Sequence, residues 1–182
     1  MTELSHQLVE RATRAQRERR FTQAKSDWAA AIEQLRRENA EDALARALRA
    51  LGEVERKLHN GEAARVHYEE AVSLSRRVSD PLTFAHTIRH LGDVYHASGH
   101  LQMAEACYRE ALDEYRAHPE AAALDLANAI RSMAVLQGDL GKIDEARNLW
   151  SEAKELYASA RISEGVTESV TQLARLESNP SI

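Results

Sequence analysis

Three arginines recur at a nearly constant interval along this chain of 182 residues. Arg49, Arg89 and Arg131 are separated by 40 and then by 42 residues. A guanidinium group binds a carboxylate through two parallel hydrogen bonds, so a fold that lines up these arginines could hold an acidic ligand. Arg49 and Arg89 also precede Glu53 and Asp93 by four positions, which is the spacing of solvated salt bridges within one helix. The pattern therefore leaves both interpretations open: ligand recognition and a solvated helix surface.

Histidines are concentrated around the second of these arginines, at His86, His90, His96 and His100. His86 and His90 lie four residues apart and Asp93 follows three residues later, a spacing that could place metal ligands along one helix. Arg89 would lie on the same side and repel a cation, and no second cluster is present to complete the ligand shell. We therefore expect no metal site, and interpret these histidines as surface or groove residues that could respond to pH.

Other residues with catalytic potential lack the companions that their chemistry requires. Ser151 and Lys154 fit a Ser-x-x-Lys pattern, but the other motifs of the acyl enzymes that use it are missing. Gly138 and Gly141 lack the spacing and the Lys-Ser/Thr pair of a phosphate-binding loop. Cys107, the single cysteine, has no activating base nearby and is expected to be a packing residue. The sequence thus predicts no catalytic residue and no cofactor, and we expect a protein that is not an enzyme.

Two periodic patterns define the elements that must position these side chains. A branched aliphatic residue recurs at Leu8, Leu48, Ile88, Ile130 and Val170, each followed four residues later by a small residue. The other pattern is an alanine, a large ring and an alanine, spaced four and then three residues apart: Ala24/Trp28/Ala31, Ala64/Tyr68/Ala71, Ala104/Tyr108/Ala111 and Ala146/Trp150/Ala153. Both spacings place their residues on one face of a helix. The chain is therefore predicted to be a repeat protein of helical hairpins, in which the rings fill the space beside the small residues.

The patterns predict nine helices, at residues 3–18, 21–37, 40–58, 61–78, 81–97, 101–117, 120–138, 142–159 and 163–177. Four hairpins, at about 3–38, 40–78, 80–117 and 119–159, are followed by a capping helix at 163–177, where Val170, Leu173 and Ala174 would cover the fourth hairpin. Arg11 replaces the apolar residue of the inner copies, as expected for a solvated end helix. Residues 179–182 are predicted to form a short frayed tail.

Turn signals separate the two helices of each inner hairpin. They are found at Asn60-Gly61, Ser98-Gly99-His100 and Gly138-Asp139-Leu140-Gly141. Glycine after a helix end is predicted to supply the left-handed conformation that satisfies the last carbonyl groups. Asp80 is predicted to cap the helix that begins with Pro81, and His118-Pro119-Glu120 marks the next start less clearly.

These residues resemble the tetratricopeptide repeat (TPR) family. The best match is Leu91-Gly92…Tyr95…Gly99…Ala104…Tyr108…Ala111, and the resemblance extends over about residues 5–177. Standard members have a 34-residue period, and the longer period here is similar to the class found in kinesin light chain. The resemblance implies an all-α fold, a right-handed α-solenoid of four hairpins with a C-terminal capping helix, forming a single domain over residues 1–182.

The resemblance also implies that the first helix of each hairpin lines a concave groove that binds a peptide or a partner protein. Carried over to this chain, the groove positions include Arg46, Arg49, Glu53, Arg56, Arg89, Asp93, His96, Asn128 and Arg131. Most charges in this set are positive, which favours an acidic segment or a free carboxylate as the ligand. The asparagine ladder of the longer-repeat class is absent, because Ala50, His90 and Ser132 take its place. The lysine/asparagine clamp for chaperone tails is not matched either.

Composition and charge exclude several other classes of protein. The formal charge of −5 and the pI near 5.9 argue against general nucleic-acid binding. No apolar run approaches the ~20 residues that span a bilayer, and the N-terminal residues lack the apolar core of a secretory signal. We therefore expect a cytoplasmic, non-catalytic scaffold or adaptor that binds a protein or peptide. A homodimer, or a homo-oligomeric structural or regulatory protein, is the alternative, and a metal-binding protein is a weaker one.

Overall fold

The computed structural model of the chain describes residues 1–78, 80–118 and 123–178, and all secondary structure in these residues is helical. The bounds of the helices are α1 (Glu3–Arg17), α2 (Phe21–Arg37), α3 (Glu41–Lys57), α4 (Gly61–Arg77), α5 (Pro81–Ala97), α6 (Leu101–Ala117), α7 (Ala123–Asp139), α8 (Ile143–Ser159) and α9 (Ser163–Ser178). The prediction of an all-α fold of repeated hairpins is confirmed for these residues. The predicted start of α7 at residue 120 and the predicted tail at 179–182 lie outside the described residues.

The helices fall into two compact units, at residues 1–94 and 95–182. In unit 1, α1 packs on α2, α2 on α3 and α3 on α4. In unit 2, α6 packs on α7, α7 on α8 and α8 on α9. The organisation of the chain as a single domain stays a prediction.

The alanine–ring–alanine pattern is buried in all four second helices, α2, α4, α6 and α8. The two largest fully buried side chains are Tyr68 and Tyr108. Tyr68 lies against Gly52 of α3 so closely that a Cβ atom added there would be 3.0 Å from the ring. The small residues of the first helices therefore allow the rings of the second helices to approach the backbone, as the spacing predicts.

The last helix covers its neighbour with one of the three residues predicted, Leu173, and with others that were not predicted. Val170 is 51% exposed and Ala174 is exposed, while Leu173 packs against the cluster that contains Trp150. Gly165 and Ser169 are buried, and any Cβ atom at Gly165 would clash with the ring of Tyr157. The equivalents of Val170 and Ala174 in the inner repeats are buried, and within the described residues no helix follows α9 to cover them.

Equivalent ion pairs join successive second helices on their solvent-facing side. Arg36 of α2 pairs with Glu70 of α4 at 2.6 Å, and Arg116 of α6 pairs with Glu152 of α8 at 3.0 Å. The two arginines occupy the same position of their repeats, and so do the two glutamates. Exposed pairs of this kind contribute little stability, but their recurrence shows that the second helices stack in the same register in both units.

The turn between the two helices of a hairpin contains one left-handed residue at a constant position. These residues are Arg19 (φ 58°), His59 (φ 61°), Gly99 (φ 76°) and Gly141 (φ 73°). Glycine was expected there, and Gly99 and Gly141 confirm it. The predicted turn before α4 is present at residues 58–60, but its left-handed residue is His59 and not Gly61, which is the first residue of α4. The predicted cap is confirmed, since Asp80 Oδ1 accepts a hydrogen bond from the backbone N–H of Thr83 at 3.0 Å.

Replacing His59 with glycine should stabilise the protein. A side chain in the left-handed conformation costs about 1–2 kcal/mol, and the extra freedom of glycine in the unfolded chain offsets about 0.5–1 kcal/mol of that gain. We expect a net increase of about 0.5–1 kcal/mol in the free energy of unfolding, measured by urea denaturation. The reverse change, Gly99→Ala, should destabilise by a similar amount. Destabilisation by His59→Gly would contradict the turn geometry.

Candidate functional site

The first helices of unit 1 contact one another through side chains that are 37 residues apart. Gln16 of α1 donates to Glu53 of α3 at 3.1 Å. Arg56 of α3 donates to Asp93 of α5 at 3.1 Å. The polar faces of α1, α3 and α5 are therefore in register in the unit.

A groove of about 670 Å³ runs between α1 and α3. Its apolar residues include Val9, Trp28, Ala43, Ala47 and Ala50. Its polar and charged residues include His6, Arg17, Arg46, Arg49 and Glu53. The groove thus combines an apolar floor with an excess of positive charge.

Three hydrogen bonds hold α1 as one wall of the groove. Trp28 Nε1 donates to Gln16 Oε1 at 2.8 Å. Glu38, which follows α2, accepts hydrogen bonds from the backbone N–H of Thr2 at 2.8 Å and from the Ser5 hydroxyl at 3.0 Å. The side-chain hydrogen bond from Thr2, with further bonds from Gln34 and Ser5, lowers the pKa of Glu38 to about 2. Glu38 is therefore ionised at neutral pH and fixes the first turn of α1.

Of the predicted groove residues on α3, Arg46, Arg49 and Glu53 line this groove. Arg46 pairs with Asp42 one turn earlier on the same helix. Glu53 accepts the hydrogen bond from Gln16. Arg49 is partly buried, and within the described part of the chain it has neither a hydrogen-bond partner nor an ion-pair partner. The intrahelical pair between Arg49 and Glu53, which the spacing allows, does not form.

The other predicted residues of unit 1 form a second, more buried cluster. Arg56, Arg89 and His90 surround Asp93: Asp93 Oδ2 lies 3.1 Å from Arg56 Nη1, 3.4 Å from Arg89 Nη1 and 3.1 Å from His90 Nδ1. Arg89 is only 9% exposed, and its Nη2 lies 2.9 Å from His90 Nε2. The ring of His90 stacks on Tyr68 with centroids 5.8 Å apart. Arg89 is therefore engaged within the fold by Asp93 and His90.

Burial and neighbouring charges shift the pKa values of this cluster. Burial lowers the pKa of His90, with the charges of Arg89 and Arg56 acting in the same direction. Although burial alone would raise it, the pKa of Asp93 is well below its usual range because His90 donates to it and both arginines are close. The neutral form of His90 can donate from Nδ1 to Asp93 and accept from Arg89 at Nε2. The cluster is thus a neutral histidine held between a carboxylate and an arginine.

The predicted residues of unit 2 are engaged in pairs of their own. His96 Nε2 lies 2.8 Å from Asp139 Oδ2, and Asn128 Oδ1 accepts from the Tyr157 hydroxyl at 2.8 Å. Arg131 of α7 binds Glu168 of α9 through Nε at 2.7 Å and through Nη2 at 2.6 Å. Glu168 was not among the predicted residues, although it lies 37 residues after Arg131, as Asp93 does after Arg56.

The wall that α1 contributes was also missed by the sequence analysis. The predicted groove residues belong to the second, third and fourth repeats, whereas His6, Gln16 and Arg17 of the first repeat line the groove as well. A signal was available, because Gln16 precedes Arg56 by one 40-residue period. Extending the same positions to the first repeat would have identified it.

In the described ranges, no three side chains of histidine, cysteine, aspartate or glutamate are grouped to hold a metal ion. His86 and His90 approach each other through their Nε2 atoms at 3.2 Å, but Arg89 lies against the same atom of His90. None of the helices in the described residues has the length and apolar character needed to cross a bilayer.

Comparison with known proteins agrees with this architecture. The model of the tetratricopeptide repeat family matches residues 43–117. The structure is similar to the crystal structure of BtubC (BKLC) from P. vanneervenii, with a TM-score of 0.72 and 17% sequence identity over 95% of this chain and 79% of that one. No curated protein sequence matches the chain. The chain is therefore similar to the tetratricopeptide repeat family over residues 43–117, where its helical hairpins carry the small-residue and ring positions of the repeat.

Proposed function

We propose that this protein is a non-catalytic interaction scaffold that binds an acidic segment of a partner protein in the groove between α1 and α3. Tetratricopeptide repeats generally mediate protein interactions, which supports the class of function. The choice of groove and ligand is based on this chain's own residues. A ligand carboxylate would meet Arg49, while neighbouring side chains of the ligand would lie over the apolar floor.

The main support for this proposal is that Arg49 contacts no carboxylate of the described chain segments, whereas the equivalent arginines Arg89 and Arg131 do. Arg89 contacts Asp93, and Arg131 contacts Glu168 through two hydrogen bonds. Arg49 is partly buried in the groove without such a partner among the residues that the structure describes. A guanidinium group that is partly removed from water is stabilised by a carboxylate. A ligand is the source of that carboxylate in our proposal.

Substituting Arg49 should therefore weaken the binding of acidic peptides. We would measure binding of a synthetic peptide array in which each acidic peptide has a counterpart with Asn and Gln in place of Asp and Glu. Arg49→Gln should weaken binding of the acidic peptides by about 10–100-fold, because a hydrogen bond to a charged group contributes about 1.5–3 kcal/mol. Their amide counterparts should bind weakly to both proteins.

The matched control is Arg37→Gln on α2. It removes the same charge at a site that is 68% exposed and outside the groove. If Arg37→Gln and Arg49→Gln weaken binding equally, net charge explains the effect and the groove is not the site. If acidic and amide peptides bind wild type equally, the proposed ligand class is wrong.

A further inference from the structure

The register between α3 and α5 places Arg49 beside a histidine. Arg56 of α3 contacts Asp93 of α5, and seven residues earlier on these two helices lie Arg49 and His86. Seven residues are close to two helical turns, so the two earlier positions are on the same faces as the later ones. Arg49 and His86 are therefore expected to face each other, and they have the 37-residue separation of the pairs Gln16–Glu53, Arg56–Asp93 and Arg131–Glu168.

Arg131 and Glu168 show the contact that an arginine forms when a carboxylate is present at the facing position. They are equivalent to Arg49 and His86 in their repeats, and they form a two-bond ion pair. At the equivalent place in unit 1 an imidazole replaces the carboxylate. Arg49 thus lies at a position where the equivalent arginine, Arg131, binds a carboxylate, and its neighbour at the facing position is His86.

The groups around His86 favour its neutral form. Its Nε2 lies 3.2 Å from that of His90, with the two rings edge to face and their centroids 4.8 Å apart. Burial, the adjacent His90, and the positive charges of Arg49 on α3 and Arg89 on α5 lower the pKa of His86 to about 3, while Asp93 acts weakly in the opposite direction. Arg56 of α3 and Tyr68 of α4 face His90 rather than His86 in the contacts of the cluster. An anion placed between Arg49 and His86 would offset this positive potential.

We infer that Arg49 and His86 form a carboxylate site that takes up one proton from solvent onto His86 when an acidic ligand binds. The carboxylate would then contact a guanidinium and an imidazolium, as a planar anion with two oxygens can. Its affinity for the site would increase as the pH falls. This inference rests on the proposed function, because it concerns the same arginine, Arg49, and the same class of ligand.

The test uses acetylated hexaglutamate amide as the probe and hexaglutamine as its uncharged counterpart. We expect the dissociation constant of hexaglutamate to decrease about tenfold when the pH is lowered from 7.5 to 5.5. This is the change expected when one histidine has a pKa near its ordinary value in the complex and stays neutral over this range in the free protein. Glutamate carboxyls are largely ionised over this range, since their ordinary pKa is about 4.3. Calorimetry at pH 5.5 in two buffers of different ionisation enthalpy should show the uptake of about one proton.

Two substitutions at position 86 test two separate points: whether His86 takes up the proton, and whether its side chain faces Arg49. His86→Asn removes the titrating group and should abolish most of the tenfold change. His86→Glu places a carboxylate opposite Arg49, as Glu168 is placed opposite Arg131, and should reduce binding at every pH to the level of Arg49→Gln. The matched control is His59→Asn, which removes an exposed histidine of the α3–α4 turn and should retain the tenfold change. Circular dichroism at each pH verifies that the variants are folded.

The outcomes distinguish this inference from the proposed function. Binding that depends on Arg49 but varies less than twofold with pH would overturn the inference and leave the proposed function standing. A tenfold change that persists in His86→Asn and disappears in His6→Asn would place the proton on α1 and also overturn it. If hexaglutamate shows no binding that depends on Arg49 at any pH, the proposed function and the inference both fail.

Discussion

Replacing Tyr68 with alanine should lower the free energy of unfolding by about 3–5 kcal/mol, the usual cost of removing a large buried side chain. Tyr68 is fully buried. Its ring lies against Gly52 of α3 and stacks on His90 of α5, so one side chain of α4 fills space between two neighbouring helices. Because domains of this size have a total stability of about 5–15 kcal/mol, the loss should be visible as a large shift of the urea midpoint.

Tyr68→Phe is the matched control for this prediction. It retains the ring and the contacts with Gly52 and His90 while removing the hydroxyl, so it should cost no more than about 1.5 kcal/mol. The alanine variant should also lose hydrogen-exchange protection in α3 and α5, because repeat proteins are stabilised through interfaces between neighbours. A loss below about 1 kcal/mol for Tyr68→Ala would show that the ring does not have the packing described above.

Lowering the pH from 7 to 5 should destabilise the protein by about 2 kcal/mol through His86 alone. Its pKa in the folded state is about 3, compared with 6.5 in the unfolded chain. Above pH 6.5 both states are neutral and His86 contributes nothing. Below pH 6.5 the unfolded chain binds a proton that the folded protein excludes, so stability falls by about 1.4 kcal/mol for each pH unit. This loss continues until the pH approaches the folded pKa.

Neighbouring groups act in the same direction. Burial lowers the pKa values of His67 and His90, so each adds to the loss of stability below pH 6.5. The lowered pKa of Asp93 stabilises the fold above pH 3.8, and this contribution decreases as the pH falls through the folded value. Acid unfolding should therefore begin with the histidines and be completed by the carboxylate.

Urea denaturation at pH 7.5, 6.5 and 5.5 would test the prediction, with His86→Gln as the variant. Removing the titrating group should make stability clearly less dependent on pH than in wild type. His6→Gln, which changes an exposed histidine of α1, should leave the pH dependence as it is in wild type. Wild-type stability that is constant from pH 7.5 to pH 5.5 would contradict the partly buried, neutral state of His86.

Much of the helical framework could be predicted from the sequence because two independent patterns indicate where the helices lie. The ring of each second helix and the aliphatic residue of each first helix fix the centres of the helices, and the turns follow from their separation. His59 shows where such reasoning fails. The left-handed position is set by the length of α3, and a histidine there gives no signal of its own, whereas the glycine two residues later suggests the wrong position.

The candidate site was harder to predict than the helices. The series of Arg49, Arg89 and Arg131 was visible from the period, but the partner of each arginine depends on the neighbouring helix. Glu168 and His86 are the two clearest examples, since both lie 37 residues after an arginine. Glu168 forms an ion pair with Arg131, whereas the charge of Arg49 lowers the pKa of His86. That separation follows from the packing of the first helices, and the 40-residue period alone does not reveal it.

The constant length of the helices has a consequence for how the chain can vary in length. Every helix from α2 to α6 has 17 residues, and three residues separate α2 from α3, α3 from α4 and α5 from α6. The pair Arg116–Glu152 joins residues that are 36 apart, whereas its equivalent Arg36–Glu70 joins residues that are 34 apart, so the contact is preserved in a repeat that is two residues longer.

Insertions within a helix and insertions between helices therefore have different effects on the packing of the helices. One residue added inside a helix would rotate the following part by about 100° and turn its buried face away from the neighbouring helix. Residues added between two helices leave both faces in place and cost only the entropy of a longer loop, about 0.6 kcal/mol for each doubling of its length. The spacing of the repeats can thus drift while their contacts are preserved, as the equivalent pairs Arg36–Glu70 and Arg116–Glu152 show.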